Sequence, residues 1–237
     1  MALPDKRLND LIRFYEILDM LAEKTGGPRI LAECSGHMEW PERGVYFFQE
    51  HGETRSDSGT GPRIVRVGTH ALKPGSKTTL WKRLVQHRGS AKTGGGDHRG
   101  SIFRLLVGTA LSATNGMTVP TWGRGGSATK SVREKEQQLE ELVSITIGQM
   151  PFLWLEVPDP PGPNSLRAYT ERNAIALLSN YSKPALDAPS PYWLGSHCNR
   201  GKVRASGLWN QNHVDEPYDP AFLDELERLV RRMKGAP

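Results

Sequence analysis

Two short apolar runs, separated by a polar loop and followed at once by a helical repeat, constrain this chain more than any other stretch. The first run is Gly44-Val45-Tyr46-Phe47-Phe48 and the second is Ile64-Val65-Arg66-Val67-Gly68. Both are rich in β-branched and aromatic residues, which suit a pleated and packed surface, so each is predicted to be a strand. Residues 51–62 between them are rich in Gly, Ser, Thr and Asp, as a hairpin connection requires. Strict alternation would set Arg66 on the face opposite Val65 and Val67. Leu80, Leu84 and His87 then recur at helical spacing, with Arg83 one turn before His87. A hairpin that feeds such a helix lets Tyr46, Arg66, Arg83 and His87 face one cleft.

On either side of that stretch, apolar-faced helices alternate with polar segments. Residues 5–24 carry Leu8, Leu11, Ile12, Tyr15, Leu18 and Leu21 at helical spacing, a packing helix ended by Gly26-Gly27-Pro28. Residues 30–40 read as a short strand or bridge. The glycine-rich residues 93–100 lack the Gly-Lys-Ser/Thr of a phosphate-binding loop and are expected to form a flexible loop over the mouth of the cleft. Ser101 suits the N-cap of a helix whose apolar face is Phe103, Leu106, Val107 and Ala110. Residues 114–130 read as an exposed insertion. The following helix, 131–143, opens with Ser131 and Glu134 at capping-box spacing, and Glu134, Glu136, Glu140 and Glu141 fill a solvated face. Residues 151–157 form a buried strand, residues 165–180 a helix holding Glu171, and residues 220–233 a closing amphipathic helix. Leu208 and Trp209 anchor the Pro-, Gly- and Asn-rich segment before it.

The fold class is therefore α/β: a small mixed three-stranded sheet flanked by helices. Residues 1–40 are an N-terminal helical extension, 41–182 the core with an insertion near 113–145, and 183–237 a C-terminal extension packed on the core. No apolar run approaches the roughly 20 residues of a membrane span, and the N-terminus lacks the apolar stretch of a secretory signal. Two cysteines, Cys34 and Cys198, cannot build a disulfide framework, and they read as thiols of a reducing cytoplasm. The net charge of +5 and pI of about 9.3 favour a polyanionic partner. The basic residues concentrate at 63–104, 124–133 and 200–204.

In this order, the elements resemble the GIY-YIG nuclease family. Gly44-Val45-Tyr46 stands at the family's first motif and Arg66-Val67-Gly68 at its second. Leu80, Arg83, Leu84 and His87 match its Leu-x-x-Arg-Leu-x-x-His helix. The resemblance covers residues 43–87 well and the middle third poorly. The second motif departs from the family, with Arg66 in place of tyrosine. Some restriction enzymes of the family carry lysine there, so a cation is tolerated.

The resemblance implies a metal-dependent endonuclease hydrolysing DNA phosphodiester bonds with Mg²⁺ or Mn²⁺. Its metal-binding glutamate follows the third strand, which assigns Glu171; pairing with Arg167 is the alternative role, and Glu156 and Asp159 are the next carboxylates. An asparagine follows, with Asn180 first and Asn199 and Asn210 behind. Tyr46 would take a proton from the attacking water, a role that needs nearby cations because a free phenol titrates near 10; Arg66 and Arg83 are those cations. Arg83 suits a phosphate oxygen because guanidinium is forked and always charged. His70 and His87 either relay protons or hydrogen-bond within the fold. His98, Arg99, Arg124, Lys130, Arg200, Lys202 and Arg204 are candidate nucleic-acid contacts, with an ordinary solvated surface as the alternative. The expected partner is double-stranded DNA, with a homodimer able to cut both strands. The rival reading is a catalytically degenerate nucleic-acid-binding module, which the Arg66 departure allows.

Overall fold

The computed structural model describes residues 6–90 and 92–235. Helix α1 (Lys6–Thr25) leads through a glycine turn into a two-residue strand, β1 (Arg29–Ile30). The hairpin consists of β2 (Gly44–Thr54) and β3 (Pro62–Gly68), and α2 (Leu80–Arg88) follows it. Then come α3 (Ile102–Thr114), α4 (Lys130–Gly148), β4 (Pro151–Glu156), α5 (Leu166–Leu178), the short α6 (Gly201–Ser206) and α7 (Phe222–Arg232). The strands lie in the order β1-β4-β2-β3, and every pairing is antiparallel. The α/β class stands, but the sheet has four strands rather than three and is not mixed. The extra strand pairs Arg29 with Phe152 and Ile30 with Pro151; two residues carry no periodicity from which to read a strand.

Period-two alternation sorts the sheet into two cores. Val45, Phe47, Leu153 and Leu155 face α1, α5 and α7, whereas Tyr46, Phe48, Phe152 and Trp154 face α2, α3 and α4. Helices on both faces explain why β2 and β4 read as nearly continuous apolar runs. Phe47, Phe48 and Phe152 are fully buried, and each such side chain contributes about 1.5–3 kcal/mol. The spacing of Phe222, Leu223, Leu226, Leu229 and Val230 turns one face of α7 into the first core.

Strand β3 departs from strict alternation. Phe48 pairs with Arg66, yet Gln49 pairs with Ile64, so Val65 is an extra, bulged residue. Val65 consequently joins the Tyr46 core, the same side as Arg66. The expected opposition of Arg66 and Val65 does not hold. The exposed rim of β3 is covered by the chain after α6. Trp209 N–H donates to the Val65 carbonyl at 2.7 Å, while the Asn210 side chain donates to the Val67 carbonyl at 2.9 Å and accepts from the Val67 N–H at 3.2 Å. An open sheet edge is thereby paired.

The middle third is more tightly knit than its composition predicts. Helix α4 begins at Lys130, capped by the Thr129 hydroxyl rather than by Ser131. Glu136 and Glu140 are buried, not solvated: Glu136 takes both ends of the Arg99 guanidinium at 2.7 and 2.9 Å, and Glu140 holds Arg104. The glycine-rich segment is no free flap. A Cβ on Gly96 would lie 2.3 Å from Arg104 Cζ, so the backbone wraps that guanidinium directly.

Candidate active site

Both motif glycines are fixed by close approach. A Cβ on Gly44 would lie 2.4 Å from the Leu155 carbonyl oxygen, and one on Gly68 would lie 2.4 Å from Tyr46 Oη. Gly68 therefore lets the Tyr46 ring lie flat on β3. Thr79 caps α2 by accepting from the Lys82 N–H, and the helix delivers Arg83 and His87 to the same place. Tyr46 Oη lies 2.7 Å from His87 Nε2, and His87 Nδ1 lies 2.7 Å from Ser101 Oγ. All three residues are buried. Burial holds His87 neutral, reinforced by the positive charges of Arg83, Arg66 and Arg104.

A cleft of about 240 Å³ opens beside Tyr46, lined by Arg66, Thr69, Arg83, Glu171, Asn210 and His213 among others. Arg66 is only 4% exposed; it donates to the Trp209 carbonyl and lies 4.7 Å over the Phe103 ring. Arg83 donates to Gln86 Oε1 at 2.9 Å and to the Gly100 carbonyl at 3.0 Å. Among the described residues neither arginine has a carboxylate within ion-pair distance, and the Nε of each is buried without a partner. Such a pair favours an anion in the cleft. Glu171 accepts the Thr69 N–H on Oε1 at 3.1 Å. Burial pushes its carboxyl upward, with Arg66 and His213 opposing that shift. Its alternative partner is engaged elsewhere, since Arg167 pairs with Asp159.

The donor set suits a hard divalent cation. Glu171 offers an oxygen not used by Thr69 at a solvent-reachable wall, and a single carboxylate suffices for Mg²⁺, which keeps most of its waters. A second cluster, Asp97, His98 and Glu140, has ligand atoms within 4.8 Å of one another but does not fit a metal. Its donors are already used: Glu140 binds Arg104 and His98 Nδ1, while His98 Nε2 accepts from Gly123 N–H at 3.0 Å.

Of the residues singled out by sequence, Tyr46, Arg66, Arg83 and Glu171 line the cleft, and His87 backs it. His70 lies outside this lining; its Nδ1 donates to the Thr78 carbonyl at 2.9 Å, and burial first and Arg167 second depress it to about 4. Asn180 is also elsewhere: its amide ties to Leu186 and accepts from Arg7. Of the three candidate asparagines Asn210 is the one that lines the cleft, beside Asn212, because the loop after α6 folds back along β3. His98 and Arg99 both have partners within the fold: His98 stacks on Trp122 at 3.9 Å and Arg99 is taken by Glu136. Lys202 pairs with Asp215 at 2.7 Å, and Arg204 donates to the Cys198 carbonyl at 2.6 Å. Arg124, Lys130 and Arg200 are exposed.

Sequence reading missed Thr69, His213 and the orienting role open to Ser101. His213 has a left-handed backbone, φ 64°, which is unusual for a residue with a side chain. Its Nδ1 is held by Glu216 Oε1 at 2.9 Å. Together with Leu72 and Glu171, it also lines a second space of about 480 Å³ beside the first. The positive φ could not have been read from the residue type.

The fold and site together define an α/β protein with a four-stranded antiparallel sheet between helices and a tyrosine, two arginines and a glutamate at one cleft. The family model described as the GIY-YIG domain matches residues 5–236, and the chain belongs to that family, whose members are nucleases. Comparison with curated proteins and with solved structures gives no match. Among the described residues no helix is long and apolar enough to cross a membrane.

Proposed function

We propose that this protein is a metal-dependent endonuclease that hydrolyses phosphodiester bonds of double-stranded DNA in the cytoplasm, with a homodimer as the form able to cut both strands. The observation that carries this reading is the cleft itself. Two arginines without carboxylate partners and one glutamate with a free oxygen face the Tyr46 hydroxyl. Arg83 and Arg66 would bind the non-bridging oxygens of the scissile phosphate. Fixed cations there are pre-oriented for the charge that builds up on those oxygens and need no reorganisation. Tyr46 Oη would accept a proton from the attacking water, and His87 holds that oxygen in place from behind. Glu171 would hold Mg²⁺ or Mn²⁺ through its free oxygen. The bound cation supplies charge stabilisation and orients the water.

The test is cleavage of plasmid, single-stranded, modified and branched DNA with Mg²⁺ or Mn²⁺ and with chelator. Nicking that requires the metal is expected. Glu171→Gln keeps the side-chain shape but removes the charge, so it should lower cleavage at least a hundredfold while DNA affinity holds. Arg83→Ala should lose both cleavage and some affinity. Cleavage by Glu171→Gln at the parent rate under Mg²⁺ would remove Glu171 from the metal site. A parent protein that binds DNA without ever cutting it would support the binding-module reading instead.

A further inference from the structure

Ser101 belongs to no motif, yet it ends a buried chain that reaches the cleft through His87 and Tyr46. The two contacts, 2.7 Å each, can run in either of two directions. In the first, Ser101 O–H donates to His87 Nδ1, and His87 Nε2–H donates to Tyr46 Oη. In the second, Tyr46 O–H donates to Nε2, and Nδ1–H donates to Ser101 Oγ.

The surroundings of Ser101 distinguish the two. Its side chain is 1% exposed and caps α3 by accepting the Arg104 N–H at 3.3 Å. In the second direction Oγ would accept twice, and its own proton would have no acceptor among the described residues. A buried polar hydrogen without a partner is destabilising. In the first direction every proton of the chain is used within the protein, except that of Tyr46. That one faces the cleft, where water or substrate can take it. The doubly protonated ring is disfavoured by burial and by the neighbouring arginines. The charged groups that face this pair are Arg66 from β3, Arg83 from α2, Arg104 from α3 and Glu171 from α5. The positive charge of Arg66 also acts on the Tyr46 hydroxyl across the cleft wall.

We infer that Ser101 is a positioning residue that fixes His87 as its Nε2–H tautomer, so that His87 donates to Tyr46 Oη and Tyr46 releases its proton only towards the cleft. His87 is then not the group that removes the Tyr46 proton. It is a fixed donor which, with Arg66, stabilises the oxygen once the proton has left. The catalytic consequence rests on the proposed role of Tyr46, whereas the tautomer is a property of the folded protein alone.

Ring-nitrogen NMR shifts of His87, assigned by comparison with His87→Gln, read the tautomer at neutral pH. A protonated Nε2 and an unprotonated Nδ1 are expected. Ser101→Ala should lose that signature and move the pH midpoint of cleavage upward by about one unit, the scale of one lost hydrogen bond to a charged group. Ser101→Thr, which keeps the hydroxyl, should restore both. An Nδ1-protonated ring in the parent protein overturns the inference even if Ser101→Ala fails to fold. So does a folded Ser101→Ala with the parent tautomer and pH profile. If the parent cuts no DNA, the nuclease reading fails, and the NMR shifts still decide the tautomer.

Discussion

Arg66 shows at the scale of one residue how a departure from a motif can be accommodated. A buried guanidinium is costly unless its hydrogens and charge are answered. Here the Trp209 carbonyl and the Phe103 ring answer part of it, and one buried Nε remains unanswered beside the cleft. Burial lowers its affinity for the proton, while Tyr46 and Glu171 pull the other way. The residue is thus an unfinished ion pair whose natural complement is an anion. We expect Arg66→Lys to retain most cleavage and Arg66→Ala to lose about a hundredfold, as when one fixed donor to a developing charge is removed. The pH optimum of the residual activity should move upward. Single-turnover rates at fixed metal concentration would check this. An Arg66→Ala enzyme with the parent rate would make the arginine a structural substitution and leave Tyr46 to be activated by other groups.

At the scale of elements, Arg104 is the hub that sets α2, α3 and α4 against one another. It projects from α3, donates to the His87 carbonyl at the end of α2 at 2.9 Å, and meets both the carboxylate and the carbonyl of Glu140 on α4. His98, just before α3, reaches the same carboxylate and stacks on Trp122 from the loop after α3, whose indole N–H donates to the Leu105 carbonyl. Removing one member of such a pair leaves a buried charge uncompensated, which costs about 3–5 kcal/mol. Glu140→Gln should therefore lower the urea midpoint sharply, and Glu140→Gln with Arg104→Met should recover part of the loss. A single-variant loss below about 1 kcal/mol, the range of a surface pair, would show that the pair is not the hub described here.

For the whole molecule, fewer cations are available at the surface than the 31 Lys and Arg of the sequence suggest. Arg63, Arg66, Arg104 and Arg167 are all buried, three of them in ion pairs. The surface left to approach a polyanion is carried by exposed residues such as Arg124, Lys130 and Arg200. DNA binding should still be salt-dependent, with log K falling linearly against log salt by about 0.9 per phosphate neutralised. Fluorescence anisotropy across a salt series would measure the slope, and a flat response would remove DNA as the partner. A slope much steeper than the exposed cations can supply would require a second copy of the chain on the same duplex.

Some of this organisation can be read along the chain because it is written in local spacing. The hairpin follows from two apolar runs and a polar loop. The Arg83 and His87 register follows from helical periodicity, and the helix of Glu171 follows from its place after a buried strand. On those elements the family resemblance named Tyr46, Arg83 and Glu171 from sequence, although only the fold sets them around one space. Other features depend on partners remote in sequence, and no window of the chain contains them. Glu140 meets Arg104 across 36 residues and His98 across 42. Those meetings turn an apparently solvated helix face and an apparently flexible loop into core. Asn210 rather than Asn180 reaches the cleft because Trp209 hydrogen-bonds to a strand 144 positions earlier, the separation of residues 65 and 209. The bulge at Val65 and the left-handed backbone at His213 are likewise settled by packing and chain closure. Local sequence determines which elements form, because their hydrogen bonds and apolar faces are short-range. Tertiary structure decides which polar side chains are buried and which face the cleft, because that depends on what arrives from elsewhere.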